Sequence, residues 1–190
     1  MVTAIPAEPT ITGPGKLFRQ LNEKPLRDDL VFYAAIVAAA SILFMVLPLL
    51  TGPYQEEGLD RIGAVVSGTL ITLIQGLITG AVALLAISLV EHFFLLFVDV
   101  HREFEQTMKS AIYALSPCIL FSWAVLLKIP FAGLLLLCCF CLITYFGVRV
   151  FHELSKDRAA FISLATGVVL AIYFHRWVLD PVQVLLSSWT

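Results

Sequence analysis

Charge is scarce in this chain. Only 14% of its 190 residues are Asp, Glu, Lys or Arg, where a soluble domain of this size carries roughly 25%. The scarcity is also patterned: runs of about 18 residues or more carry no charge at all, and such runs read as membrane spans. No hydrophilic stretch is long enough to bury a second core, so one domain is expected. The net charge of −2 lacks the basic bias of a nucleic-acid partner. Cysteine is sparse too. Cys118, Cys138, Cys139 and Cys141 all lie in apolar runs without metal-ligand spacing, which suits small packing residues.

Motifs that carry chemistry are missing as well. There is no G-x-S-x-G, no H-E-x-x-H and no phosphate-binding glycine loop, and Ser116 and Ser163 have no recognisable base. An enzyme is not expected. Imidazole can hold haem or a pigment, but His92, His152 and His175 offer no C-x-x-C-H motif and no pair stacked on one helix. No cofactor is expected.

What is present is hydropathy. Residues 1–28 form a tail, rich in Pro, Thr and Gly up to Gly15. Within it, Leu17, Phe18 and Leu21 fall on one helical face between Lys16 and Lys24, a short amphipathic segment suited to a membrane surface; Pro25 ends it. The sequence then predicts an all-α, polytopic bundle of five transmembrane helices over 29–190, with interfacial segments. The spans are expected at about 30–50, 62–98, 110–127, 130–151 and 159–179. Helices are required because backbone groups in lipid must bond internally. The second run is too long for one upright crossing of a hydrocarbon core about 30 Å thick, so it must tilt, bend or overrun. Glu91 and His92 are expected to mark where its core-embedded part ends.

Orientation follows from Lys and Arg. Lys16, Arg19, Lys24, Arg27, Arg102, Lys109, Arg149, Lys156 and Arg158 fall on the tail side, against Arg61, Lys128 and Arg176 on the other. Nine against three places the N-terminus in the cytoplasm, and five spans place the C-terminus outside.

Four positions in the second span recur every four residues: Gly68, Thr72, Gly76 and Gly80. They form one smooth stripe, and Gly76 with Gly80 makes a G-x-x-x-G pair that permits close helix approach. The stripe fits an oligomer interface, or packing inside one bundle. Gln75 lies beside it with Thr69 and Thr79 near; a buried amide needs partners, either a solute or, more simply, a neighbouring helix. Glu91 and His92 are the most polar pair near a boundary. They suit proton handling or, more plainly, an interfacial pairing of Glu91 with Arg149 or Arg102.

The stretch from Arg102 to Pro130 reads REFEQTMKSAIYALSPCILFSWAVLLKIP. A polar segment with F-x-Q-T leads into a span carrying a tyrosine and, four residues on, a proline. Phe104, Gln106, Thr107, Tyr113 and Pro117 carry a resemblance to the Yip family of Ypt/Rab-interacting membrane proteins. The resemblance implies a cytoplasmic tail followed by five spans. A D-L-Y-G-P-like run in the second span is absent and the tail is short, which implies a prokaryotic-type member in the cytoplasmic membrane. The motif also has a direct physical reading. Pro117 removes a backbone donor and bends the third span, with Ser116 available to the freed carbonyl, and Tyr113 anchors near the interface.

Two functions compete. One is a non-catalytic adaptor or scaffold, or an accessory subunit, whose partners are membrane lipids and a membrane protein or a second copy of the chain. The other is a small transporter or channel working as an oligomer, with Gln75 and its threonines as the supporting feature.

Overall fold

The computed structural model describes residues 14–51, 59–100, 103–127, 129 and 131–174. Among them every regular element is helical: α1 (Pro14–Asn22), α2 (Leu26–Thr51), α3 (Leu59–Phe97), α4 (Phe104–Leu120), α5 (Trp123–Leu126), α6 (Ala132–Phe151) and α7 (Lys156–Tyr173). Four of the helical stretches are long and apolar enough to cross a membrane: Leu26–Val46, Ser67–Phe97, Phe104–Val125 and Ala132–Phe151. The fifth expected span begins with α7. Its first turn carries Lys156, Asp157 and Arg158, so its apolar part within the described residues is short. The rest of the expected span, with His175, lies outside them.

Local chemistry explains most boundaries. Pro14 opens α1, where a missing N–H costs nothing. Pro25 precedes α2, and Asp28 and Asp29 fill the first turn of α2, complementing the helix dipole. The ends of α3 and α6 share one device. Asp99 (φ 61°) and Glu153 (φ 53°) adopt the left-handed conformation, and the next residue's N–H reaches back five residues: Val100 N to Leu95 O at 3.0 Å, Leu154 N to Arg149 O at 3.2 Å. These 6→1 bonds satisfy carbonyls left open by the helix end.

The third span departs from expectation at both ends. It begins at Phe104, not near 110, because the polar residues Thr107 and Lys109 are used inside the fold and are buried. At the far end the helix passes through Pro117, stops at Leu120 and restarts as α5 after the Phe121–Ser122 turn. Ser116 does not serve the carbonyl that Pro117 leaves free. Its hydroxyl bonds Ile112 O at 2.7 Å, one residue earlier.

α4 is the central helix, packed on α2, α3 and α6; α7 lies against α6 and α3, and α1 against α6. The burial pattern is that of a membrane bundle rather than a soluble one. Leu70, Ile74, Ile78, Val82, Leu85 and Leu89 of α3 face outward, while Asp29, Ser88, Glu91, Thr107, Ser110 and Thr144 are inside. In lipid, apolar side chains gain nothing by hiding, and close contact falls to small and polar residues.

Candidate functional site

The polar groups converge at the end of the bundle where α2, α4 and α7 begin and α3 and α6 finish. α1 lies across this tail-side end. Its Phe18 is 6% exposed, with its ring edge-on to Tyr113 (centroids 6.2 Å) and Phe151 (5.7 Å). Leu17, its neighbour, is 56% exposed. Lys109 of α4 fixes the other end of α1: its Nζ donates to Lys24 O at 2.6 Å and Asn22 O at 3.3 Å, and sits 3.4 Å from Glu105 Oε1. Carbonyls at a helix C-terminus lack intrahelical donors, and an ammonium there is favoured twice over, by hydrogen bonding and by the dipole.

Tyr113 is the hub of this layer. Its hydroxyl donates to Asp29 Oδ1 of α2, and its ring meets Phe18, Phe32 and Phe151. Beside it, the F-x-Q-T segment forms the first turn of α4. Thr107 Oγ1 stands between two imidazoles, 3.2 Å from His92 Nδ1 and 3.5 Å from His152 Nε2. Phe104 packs edge-on against His92, centroids 5.3 Å apart. Gln106 leaves its Oε1 buried without a bond.

Glu91 is not the exposed, arginine-paired carboxylate that the plainer sequence reading offered. It is 0% exposed, and neither carboxylate oxygen has a hydrogen-bond partner among the described residues. Arg149 does not pair with it, and Arg102 lies outside the described residues. The physical reason is register. Leu84, Ile87, Ser88, Glu91 and Leu95 share one buried face of α3, so position 91 points to the bundle axis while His92 turns toward Thr107. The Ser110 hydroxyl faces the carboxylate without completing a bond.

The glycine stripe faces α2. A Cβ on Gly80 would lie 2.9 Å from Val37 Cγ2, one on Gly68 would lie 2.9 Å from Met45 Cε, and one on Gly76 would collide with Ser41 Oγ. Thr72 is half-buried on the same line. Tyr33 adds a bond across this contact, donating to Gly80 O at 3.0 Å. Gln75 does not reach a neighbouring helix. One residue before Gly76 is about 100° round the helix, and Gln75 lies exposed in a shallow outward groove with Ile71, Ile74, Ile78 and Thr79.

The sequence reading passed over Asp29, Ser88, Ser110 and Thr144. A signal existed for the first: Asp29, Tyr33, Val37 and Ala40 follow helical spacing and are all buried, which separates Asp29 from its exposed neighbour Asp28.

Chemically, the site holds segments together. The hydroxyls of Ser116 and Ser163 donate hydrogen bonds to backbone carbonyls, Ser163 to Cys141 O at 2.6 Å. Among the described residues no group of three His, Cys, Asp or Glu side chains could hold a metal ion. A family model described as the Yip1 domain matches residues 10–176. No curated protein and no solved structure matches.

Proposed function

Because the chain belongs to the Yip1-domain family, and is thus an integral membrane protein, we propose that it is a non-catalytic adaptor that works by association with another membrane component. The observation that carries this reading is the docking of α1. Phe18 and the Lys109 bonds hold the amphipathic segment on the bundle, with Leu17, Arg19 and Gln20 turned outward. Tail and bundle thereby present one joint surface, with apolar and cationic groups together, suited to another subunit at a membrane face.

The same proposal includes five spans, the fifth continuing from α7 beyond Phe174, with the tail in the cytoplasm of a prokaryotic cell and the C-terminus outside. The support is the nine-to-three split of Lys and Arg. Single cysteines at positions 20 and 185 should label from opposite faces; labelling from one face rejects five spans.

The second reading, an oligomeric transporter or channel, draws on Gln75, which lies on the outward face of α3. It therefore requires a second copy to enclose the amide. Isolation from native membranes in mild detergent separates the two. Recovery with a fixed partner supports the adaptor. Recovery alone, with solute flux in vesicles abolished by Gln75→Ala, supports the transporter.

A further inference from the structure

Glu91 is the sole Asp, Glu, Lys or Arg between Arg61 and Asp99, and it is wholly buried without a counter-charge among the described residues. An isolated buried carboxylate is costly and does not persist unpaired. Two hydroxyls lie next to it on α3 and α4. Ser88 is one turn earlier on the same face of α3. Ser110 faces it from α4. Ser110 in turn lies against Gly147 of α6, where a Cβ would come within 2.8 Å of its Oγ; Thr144, one turn before Gly147, is on that same buried face.

These hydroxyls, like that of Thr166 in α7, behave unlike those of Ser41 and Ser116. Ser41 and Ser116 satisfy themselves by bonding the carbonyl four residues back, at 2.8 and 2.7 Å, the ordinary habit of helical serine in lipid. Ser88, Ser110 and Thr144 are each 0% exposed, and none makes that bond or any other. Their oxygens are held off the backbone carbonyls.

We propose that Glu91, with the hydroxyl oxygens of Ser88 and Ser110, forms a binding site for one monovalent metal cation between α3 and α4. Hard oxygen ligands and a single negative charge suit such an ion. The surrounding charged groups are otherwise engaged. Lys109 is committed to α1 carbonyls and Glu105, His92 to Thr107, Asp29 to Tyr113, and Arg158 to Val98 O. Arg149 is two residues past Gly147, about 200° round α6, and Lys156 and Asp157 of α7 are exposed. No group of three His, Cys, Asp or Glu side chains, such as a multivalent ion would draw on, occurs among the described residues. This site goes beyond the adaptor reading and does not rest on it.

The test uses the full-length protein in lipid nanodiscs at fixed pH and ionic strength, with NaCl, KCl or choline chloride. Dicyclohexylcarbodiimide attacks protonated carboxyls in apolar surroundings, and peptide mass spectrometry reads the adduct at Glu91. The expected result is labelling in choline chloride that is lost as Na⁺ or K⁺ replaces choline. The same ion should raise the Tm of the wild type and leave that of Glu91→Gln unmoved. Ser110→Ala, which keeps the carboxylate, should shift the protecting ion concentration upward. Labelling that is equal in all three salts means a permanently protonated carboxyl and overturns the site. So does absence of labelling together with an ion-independent Tm. A protecting concentration unchanged in both Ser110→Ala and Ser88→Ala overturns the hydroxyl ligands.

Discussion

The hydroxyl of Tyr113 donates to the buried carboxylate of Asp29, tying the middle of the third span to the first turn of the first, 84 residues away in sequence. The other oxygen of Asp29 has no partner, so this phenol is the bond that makes the burial tolerable. Tyr113→Phe should cost about 1–3 kcal/mol, because it strands a buried acceptor. Asp29→Asn should cost less. Thermal unfolding of both variants and the pair in one detergent checks this; equal costs for the two single changes would argue against it.

Phe18→Ala should release α1 without unfolding the bundle. A buried phenylalanine contributes about 3–5 kcal/mol to the unit it anchors, and here that unit is a nine-residue helix. Hydrogen exchange should rise across 16–24 and stay unchanged in α4 and α6. A bundle that loses protection throughout would show that α1 is needed for the rest to fold.

Gly80→Leu should force α2 and α3 apart. Both Val37 methyls lie about where its Cβ must go, at 2.9 and 3.0 Å, and valine has little rotamer freedom to yield. Overpacking of this kind costs about 1–3 kcal/mol. Gly80→Ala combined with Val37→Ala should recover most of the stability that Gly80→Ala loses, as measured by Tm in detergent.

Asp99→Gly should leave stability equal or higher, and Asp99→Val should lower it. The left-handed φ at this position costs an L-residue about 1–2 kcal/mol, least for Asp and Asn and most for a β-branched side chain. The ranking Gly, Asp, Val in Tm checks the helix end directly.

Hydropathy alone located three of the membrane helices to within a few residues, since α2, α3 and α6 begin and end close to where charge and proline interrupt the apolar runs. It failed where polar residues go inside. The segment from Phe104 to Lys109 looks like a loop by charge, yet Lys109 is consumed by carbonyls of Asn22 and Lys24, a partnership that depends on a tail more than 80 residues away. The pairing expected for Glu91 failed for a related reason. A carboxylate six residues before the end of an apolar helix reads as a boundary marker, and only the register of Leu84, Ile87 and Leu95 turns it inward. Gln75 failed in the opposite sense, because adjacency to a glycine stripe in sequence is a third of a turn away in space.

Lys109 spans two roles in one side chain, since its backbone belongs to the third span while its ammonium closes the end of α1. Folding of the tail and integrity of the bundle are therefore linked equilibria, and the linkage is reciprocal. Anything that binds α1 only when lifted must overcome the docking free energy, and anything that grips the docked surface stabilises the spans beneath it through its own binding free energy. Neutralising that one ammonium, by acetylation or by Lys109→Met, would weaken the linkage and leave Phe18 as the anchor of α1.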